Sequence, residues 1–487
     1  MSCMNLTSGT KSAFSLSFLV LLLTGTVLYA GPLDPPIGPV ASTHKTLSEV
    51  EPRIAVNLIN TPGLGTNLYR ITQPGSYYLT GNITGVNSRH GIEIASSGVT
   101  LDLMGFELLG VPGSLDGISV VGNNIFNVAV VNGSVRNWGG DGVDLSSASI
   151  SLINSRVEKI NATGNTGYGI QTTSSSTVSN CSAAFNIVAG IHTGNGSAVT
   201  NCSGTGNGTY GISTLGGCSV TNCAVYQNNG NGINVGVSCT VSDSSSFDNG
   251  GNGINAGNSC TVSGCSTSQN DASGINTGSG GAITNCSVQL SGMRGISGGS
   301  GSNIADCTSY NNIGIGIALL LGGSATNCTS QINSIGISGT GCAITNCKVA
   351  NCSSYGIEIN EGTIAGCSVS FSNLDGIRGN NACIIRDNEV FACGQGANDG
   401  AGIHVLNSHN RIEGNNCTDA DRGIDVDGAS NVIVRNTCSG NTINWTFVAS
   451  NYYGPIIDRT GFASAAVNGS VGADTLGSTH PNANFTY

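Results

Sequence analysis

Apolar residues in this chain recur in short clusters at a fixed interval, separated by polar and glycine-rich stretches. A glycine followed by isoleucine, or once by valine, returns every 21 residues between residues 169 and 316, and every 20 residues up to residue 376. The glycines of this pattern are Gly91, Gly117, Gly142, Gly169, Gly190, Gly211, Gly232, Gly253, Gly274, Gly295, Gly316, Gly336, Gly356, Gly376, Gly402 and Gly423. Such a sustained period predicts a solenoid of 16 coils, each burying its apolar side by stacking on its neighbours.

Each repeat carries two further apolar columns. Valine or isoleucine recurs at Val178, Val199, Val220, Val241, Val262, Ile283 and Ile304, and a cysteine stands three residues later in most coils. No apolar stripe of helical period accompanies these columns, which argues against leucine-rich repeats, and 21 residues do not divide into hexapeptides. Alternation within segments such as "GIEI" and "GINV" places one side chain inward and the next outward. The pattern therefore predicts an all-β, right-handed parallel β-helix of about 16 coils.

Two polar features are expected to support the coils. Asparagine recurs five residues after the cysteine, at Asn186, Asn207, Asn228, Asn249 and Asn270. Stacked amides can bond to the coils above and below, so we predict an internal asparagine ladder. We expect the repeated glycines to stand at bends that require a positive φ.

The chain is predicted to have four parts. Residues 1–30 read as a signal peptide, with Lys11 before a short apolar run and cleavage after Ala30. Residues 31–90 are predicted as an N-terminal β-rich cap with a hairpin turn at Pro74–Gly75, residues 91–438 as the β-helix and residues 439–487 as a C-terminal cap. These expectations describe a monomer without a transmembrane segment in the mature chain, exported to the periplasm, cell surface or medium.

The coils resemble those of a known superfamily. Over about residues 91 to 438, the Gly-Ile-x-Ile/Val segments are similar to those of right-handed parallel β-helix proteins related to pectate lyases, polygalacturonases and mannuronan epimerases. "ITQPGSYYLTGNITG" and "GPIIDRTG" resemble the flanking modules of secreted bacterial β-helix proteins. The resemblance implies the fold, whereas enzymes and adhesins share the coil motif. Related lyases use an arginine or another base beside a uronate with a cation, and related hydrolases use paired aspartates.

The low charge content and the cysteine count limit the partners and the covalent links that we expect. Only 9% of the residues are charged and the net charge is −11, so nucleic acid is not expected as a partner. An anionic polysaccharide would need a local arginine or a bound cation. The chain has 19 cysteines, but stacked columns hold Cβ atoms about 5 Å apart, wider than the ~3.8 Å that disulfides prefer. We therefore predict mostly buried free thiols, with extensive disulfides as the alternative.

Titratable residues collect at the C-terminal end of one outward column. The residue after Gly-Ile is small and uncharged through the middle coils, and then reads Glu358, Arg378, His404 and Asp425. Asp375, Arg422 and Asp427 stand beside them, next to the inserted loop 394–401. We predict that the column is catalytic and that the three neighbours bind substrate. A solvated, salt-bridged face is the alternative.

Each residue of the column has an expected role. Arg378 would hold a sugar carboxylate, and His404 would accept a proton near neutral pH. Glu358 and Asp425 would orient these cations or hold a divalent ion such as calcium, and no other cofactor is expected. An N-terminal set of Glu93, Asp144 and His192 is the fallback; its "GGDGVD" segment is loosely similar to the aspartate motif of the hydrolases.

Three functions follow from these features. The first is a secreted β-helix that binds or processes an extracellular polysaccharide along its outer sheet, as a lyase, epimerase or glycoside hydrolase if it is an enzyme. The second is a non-catalytic surface or adhesive rod, which the lack of aromatic residues in the outward column keeps open. The third is a periplasmic metal-handling β-helix.

Overall fold

The computed structural model describes residues 52–122, 124–146, 154–395, 400–458 and 480–487, and all regular elements in these ranges are β-strands. Arg53–Tyr487 form one compact unit. Each coil of this unit contributes strands to three parallel sheets, which we call A, B and C in chain order. The described strands that belong to sheet A, which follows the repeated glycines, number 18, so the solenoid has about 18 turns.

Sheet A positions the candidate site. Its strands are Asn67–Ile71, His90–Ile94, Ile118–Val120, Val143–Leu145, Ile170–Thr172, Ile191–Thr193, Ile212–Thr214, Ile233–Val235, Ile254–Ala256, Ile275–Thr277, Ile296–Gly298, Ile315–Leu319, Ile335–Thr345, Ile357–Ala365, Ile377–Gly379, Ala401–Val405, Arg422–Val426 and Ile443–Phe447. The strands Ile335–Thr345 and Ile357–Ala365 continue around the bend into sheet B.

Sheet B contains the valine column. Its strands are Ile54–Ala55, Gly75–Tyr78, Val99–Asp102, Val128–Arg136, Arg156–Thr163, Thr177–Ser179, Ala198–Thr200, Ser219–Thr221, Thr240–Ser242, Thr261–Ser263, Ala282–Thr284, Asn303–Ala305, Ser324–Thr326, the two strands shared with sheet A, Cys383–Arg386, Arg411–Glu413, Val432–Val434 and Tyr452–Tyr453. Val128–Arg136 and Arg156–Thr163 continue into sheet C.

Sheet C closes each coil. Its strands are Ile83–Thr84, Glu107–Leu109, the two strands shared with sheet B, Ser182–Ala184, Ser203–Thr205, Ala224–Tyr226, Ser245–Phe247, Ser266–Ser268, Ser287–Gln289, Thr308–Tyr310, Thr329–Gln331, Lys348–Ala350, Ser368–Ser370, Glu389–Phe391, Asn416–Thr418, Thr437–Ser439, Ile456–Asp458 and Asn484–Thr486.

Strand register keeps identical side chains stacked. Ile233 stands opposite Ile254, which in turn stands opposite Ile275, and all three are fully buried. In sheet B, Val220 and Val241 are paired and buried in the same way. Parallel strands in register place like residues of successive coils on one face, so the predicted isoleucine and valine columns are confirmed as the core.

Sheet C has no counterpart in the sequence-based prediction. Its inward residues are small or polar in many coils, as at Ala183, Ser246 and Ser309, so they form no apolar column. Three of the buried serines are satisfied inside the coil, since Oγ of Ser246, Ser309 and Ser330 donates to the carbonyl of the repeated glycine at 2.8, 2.8 and 2.7 Å. A strand whose core-facing positions are satisfied locally gives little hydrophobic signal.

The ladders extend to both sides of the range 91–438. Tyr69 pairs with Ile92, and Trp445 pairs with Ile424, although neither aromatic residue follows the Gly-Ile pattern. Gly75–Tyr78 pairs in parallel with the next coil, so Pro74–Gly75 lies at the bend between sheets A and B. The predicted hairpin at this turn is wrong, because the segment already follows the path of a coil.

Other sequence-based expectations concern the chain ends. The predicted signal peptide, residues 1–30, lies outside the described residues. Within the part of the chain that the structure describes, no helix is long and apolar enough to cross a membrane.

The predicted asparagine ladder is confirmed. Asn207 donates to Asn228 Oδ1 from its backbone nitrogen at 3.0 Å and from Nδ2 at 2.9 Å, and Nδ2 also donates to the Ala183 carbonyl. Asn228 makes the same bonds to Asn249, and these asparagines are buried. The side chains of Asn207 and Asn228 thus each satisfy one backbone nitrogen and one carbonyl of the preceding coil, at a bend where no strand pairing can do so.

The repeated glycines have a different cause from the one predicted. None of the sixteen has a positive φ. A Cβ at Gly253 would lie 2.6 Å from the carbonyl oxygen of Gly274 and 2.7 Å from Nδ2 of Asn270. Neighbouring coils approach too closely at this corner for any side chain, which explains why glycine recurs there.

The eighteen cysteines of the described residues are all free and buried, as predicted. Hydrogen bonds connect cysteines of successive coils. The backbone nitrogen of Cys218 donates to the sulfur of Cys239 at 3.3 Å, and that of Cys239 donates to the sulfur of Cys260 at 3.2 Å. Burial raises the pKa of Cys342 and Cys393 to about 11 and that of Cys352 to about 12. These three thiols are therefore neutral near pH 7 and act as small apolar residues.

We expect these thiols to be unreactive in the native protein. A chromogenic thiol reagent at pH 8 should label fewer than two sulfurs in native protein within minutes, because the sulfurs are buried away from the reagent. In denaturant without reductant, the same reagent should label all eighteen. Incomplete labelling in denaturant would reveal disulfides and contradict the free-thiol ladder.

Candidate active site

The four residues of the predicted C-terminal column stand side by side on the outer face of sheet A. Glu358 pairs in register with Arg378, Arg378 with His404, and His404 with Asp425. Adjacent parallel strands lie about 4.8 Å apart, so the column presents one titratable group at each rung. The structure brings together what the 20- to 26-residue spacing of the Gly-Ile marks predicts.

His404 is the centre of an acidic cluster. Its Nδ1 lies 3.1 Å from Asp375 Oδ2, and its Nε2 lies 3.1 Å from Asp427 Oδ2 and 3.9 Å from Asp425 Oδ2. Arg422 forms an ion pair with Oδ2 of Asp425. The side chain of Asp425 is 0% exposed, and its Oδ1 has no hydrogen-bond partner. All three predicted substrate-binding neighbours therefore contact the column.

Local structure explains the position of Asp375. It precedes the repeated glycine of its coil, and its Oδ1 accepts a hydrogen bond from the backbone nitrogen of Ala401 at 3.0 Å. Asp141 occupies the equivalent place in an earlier coil and accepts from Tyr168 in the same way, at 2.7 Å. One carboxylate oxygen thus ties two coils together, and the other oxygen of Asp375 is left to bind His404.

The electrostatics of the cluster alter the expected role of His404. Burial lowers the pKa of this imidazole, but the hydrogen bond and charge of Asp375, with Asp427 and Asp425, outweigh burial and raise it to about 9. The ring is therefore protonated at neutral pH and donates from both nitrogens. This argues against His404 as the proton acceptor that its intrinsic pKa predicts.

Glu358 and Arg378 line a separate cavity at the bend from sheet A to sheet B. The cavity has a volume of about 330 Å³. Its other lining residues are Ser338, Gly339, Thr340, Ile359, Asn360, Asn380 and Leu406. The guanidinium carbon of Arg378 lies 4.4 Å from the ring centre of Tyr355, and its Nε is buried without a hydrogen-bond partner. Burial, followed by the charge of Asp375, raises the pKa of Glu358.

Sequence reasoning missed the groups that shape this cavity. Tyr355 precedes the repeated glycine, a position that other coils fill with residues as different as Arg294 and Asp375. The spacing therefore gave its place in the coil but not its contact with Arg378. Thr340, Asn360 and Asn380 each stand three residues after the repeated isoleucine. That recurrence of polar residues was a signal that could have been found.

The N-terminal fallback set is less compact. Glu93 and Asp144 flank Ser119 in register, while His192 stands two coils beyond Asp144. Glu93 pairs with Arg70 at 3.2 Å. His192 instead contacts the ring of Tyr168, with 5.3 Å between centroids, and burial lowers its pKa.

Asp141 lies beside that set, and its pKa is raised to about 7. Burial is the main cause, and the negative charges of Asp144 and Asp116 raise the pKa further, whereas the hydrogen bond from Tyr168 lowers it. The folded protein therefore holds the Asp141 proton more tightly than the unfolded chain does. Its stability is unaffected by this carboxyl group below the unfolded pKa of 3.8, and falls as the pH rises from there through 7. We expect Asp141→Asn to raise stability at pH 8 by about 2 kcal/mol, after allowing for partial exposure, and to have little effect near pH 4. Thermal unfolding at both pH values measures this.

The matched control is Asp271→Asn, which removes a carboxylate from an exposed position. A gain of the same size at pH 4 and pH 8 in Asp141→Asn would show that its carboxylate is not strained by burial.

A group of exposed aromatic residues lies at sheet C. Tyr226 and Phe247 stack with centroids 5.4 Å apart, and Phe371 and Phe391 meet edge to face at 5.3 Å. Aromatic residues are absent from the column after Gly-Ile, and the set at sheet C was not predicted.

One family model agrees with the architecture. A family model described as "right handed beta helix region" matches residues 333–471. No curated protein sequence matches the chain. Among solved structures, the A-module of mannuronan C-5 epimerase AlgE6 from Azotobacter vinelandii is 14% identical, with a TM-score of 0.35, covering 70% of this chain and 91% of that one.

Two further solved structures are similar. The periplasmic alginate epimerase AlgG is 12% identical with a TM-score of 0.25, covering 70% of this chain and 77% of that one. The catalytic domain of a GH87 α-1,3-glucanase in complex with nigerose is 12% identical with a TM-score of 0.25, covering 70% of this chain and 59% of that one. By its own strand ladders and by the matched region 333–471, the protein is a right-handed parallel β-helix.

Proposed function

We propose that the protein binds and processes a carboxylated polysaccharide on the outer face of sheet A, with Arg378 as the carboxylate anchor. The observation that supports this most strongly is the state of Arg378. Its guanidinium is held over Tyr355, keeps a buried Nε without a hydrogen-bond partner, and lines an open cavity. A planar guanidinium matches a carboxylate in geometry and charge, and its stacking on Tyr355 limits the entropy lost on binding.

The rest of the cavity suits a sugar ring. Ser338, Thr340, Asn360 and Asn380 provide hydroxyl and amide groups that can both donate and accept hydrogen bonds. Such groups can replace the water around sugar hydroxyls. Because the outward residues of sheet A are stacked in register, neighbouring sugars of a chain would continue along this sheet from rung to rung.

Glu358 is the group that we assign to proton transfer. It lines the same cavity as Arg378. Its pKa is raised toward neutral pH, so it is a stronger base than an ordinary carboxylate. Arg378 would make the carbon beside the bound carboxylate more acidic by stabilising the negative charge that forms there. Glu358 would then remove that proton, which is the first step of both uronate elimination and epimerisation.

Binding is tested with polygalacturonate and alginate, against a methyl-esterified pectin and neutral dextran, at low ionic strength. We expect the acidic polymers to bind and Arg378→Ala to weaken this binding at least tenfold, because the ion pair is lost. Arg294→Ala, which changes an arginine beside a middle coil of sheet A, is the matched control and should leave binding intact. Equal binding of neutral and acidic polymers, or an unchanged Arg378→Ala, would overturn the proposal.

Turnover is tested with the same acidic polymers. Formation of unsaturated uronate ends and exchange of the ring proton with deuterated water report elimination and epimerisation, respectively. Glu358→Gln should lower the rate at least a hundredfold while binding persists. Its control is the nearby Glu361→Gln. Binding without either reaction would leave the adhesive rod as the function, with sheet A as its contact surface.

A further inference from the structure

The acidic cluster around His404 is distinct from the cavity of Arg378 and Glu358. Three of its side chains direct possible ligand atoms toward one another: His404, Asp425 and Asp427 have ligand atoms within 4.8 Å of each other. The distances from Nε2 of His404 to the two carboxylates are 3.1 and 3.9 Å. Ligand atoms around a tetrahedral ion with bonds of about 2 Å lie about 3.3 Å apart, so small side-chain movements would close the set.

The opposite face of the imidazole is arranged as in metal sites. His404 Nδ1 lies 3.1 Å from Asp375 Oδ2, while Asp375 Oδ1 is fixed by the backbone of Ala401. A metal-bound histidine usually donates its second nitrogen to a carboxylate in this manner, which fixes the ring and leaves Nε2 as the ligand. Asp375 is therefore a positioning residue for His404.

An independent observation comes from Asp425. Its side chain is completely buried, and Arg422 occupies only one of its carboxylate oxygens. The other oxygen, Oδ1, has no hydrogen-bond partner, which is costly for a buried carboxylate. A cation is the kind of ligand that would satisfy it.

The charges of the cluster balance with a divalent ion. Asp375, Asp425 and Asp427 contribute three negative charges and Arg422 one positive charge. A divalent ion bound to neutral His404 brings the sum to zero, so the cluster is complementary in charge to such an ion.

We propose that His404, Asp425 and Asp427 form a binding site for a borderline first-row divalent cation such as Zn²⁺, with Asp375 positioning His404. One imidazole and two carboxylates match the ligand preferences of Zn²⁺ and Co²⁺. Calcium, the ion expected from the sequence, takes six to eight oxygen ligands, and this group offers an imidazole and two carboxylates. The site does not depend on the proposed polysaccharide activity, and its ligands differ from Arg378 and Glu358.

The test uses the full chain after removal of metal by a chelator. Zn²⁺ is titrated in competition with a chromophoric chelator, and Co²⁺ is titrated while its visible spectrum is recorded. We expect one ion per chain with micromolar or tighter affinity, a tetrahedral Co²⁺ spectrum without a thiolate charge-transfer band, and no competition from millimolar Ca²⁺. If neither Zn²⁺ nor Co²⁺ shows saturable binding below millimolar concentration, the site is rejected.

Variants locate the site. His404→Ala should abolish binding, Asp427→Asn should weaken it at least tenfold, and Asp375→Asn should weaken it by about tenfold through loss of the positioning bond. His192→Ala removes a histidine of the same outward column and is the matched control. Unchanged affinity in both His404→Ala and Asp427→Asn, or a thiolate band with Co²⁺, overturns the assignment. Melting curves of each variant confirm that the fold is retained.

Discussion

Replacing Asn228 by alanine is expected to lower the free energy of unfolding by about 4 kcal/mol, since several buried polar groups lose partners together. Asn228 is 1% exposed, and its Oδ1 accepts both the backbone nitrogen and Nδ2 of Asn207. Its own Nδ2 donates to the Gly204 carbonyl and to Asn249 Oδ1, at 3.0 and 2.9 Å. These atoms are buried in the folded protein, so removal of the amide leaves them without their present partners. Calorimetry of the variant should show a clear fall in melting temperature.

Asn255→Ala is the matched control for that variant. Asn255 belongs to a second amide ladder, on the outer face of sheet A, where it donates to Asn234 and accepts from Asn276, both at 2.9 Å. These side chains are half-buried, so water can replace the lost bonds, and we expect a cost below about 1 kcal/mol. Equal losses in the two variants would contradict the view that burial makes the inner ladder essential.

Gly253→Ala is expected to cost about 3 kcal/mol or more, although its φ is one that alanine adopts freely. The new Cβ would stand 2.6 Å from the Gly274 carbonyl oxygen and 2.7 Å from Asn270 Nδ2. The contact is with the backbone of the next coil, so relief requires two coils to separate. Chemical denaturation should show a lower midpoint, and limited proteolysis should cleave near this coil.

The control for that substitution is Gly301→Ala. Gly301 has a φ of 67° and no atom within 4 Å of an added Cβ. Alanine there meets only the backbone cost of a left-handed conformation, about 1 kcal/mol. If Gly301→Ala proved the more damaging of the two, glycine would recur for conformation rather than for close approach.

Periodicity made most of the fold predictable. The isoleucine and valine columns are the buried positions of sheets A and B because stacking forces like residues into the same place in each coil. The end coils were not predicted, because Tyr69 and Trp445 stand where the other coils have isoleucine. Their aromatic rings cover the ends of the core. Sheet C was not predicted, because its inward residues need not be apolar and so produce no hydrophobic column.

The candidate site was predictable in its register but not in its chemistry. The spacing alone placed Arg378 between Glu358 and His404, as the pairing shows. Directions of side chains are not encoded in spacing, so the split into a cavity around Arg378 and a carboxylate cluster around His404 emerged only with the structure. The pKa of His404 depends on that split.

The central claim is that the outer face of sheet A at Arg378 receives a carboxylated sugar. A crystal structure of the protein with an oligouronate measures this most directly. The account predicts a sugar carboxylate within hydrogen-bond distance of the Arg378 guanidinium, with the ring in the cavity lined by Glu358 and Asn380. An oligouronate bound instead along the aromatic residues of sheet C, with Arg378 unliganded, would contradict it.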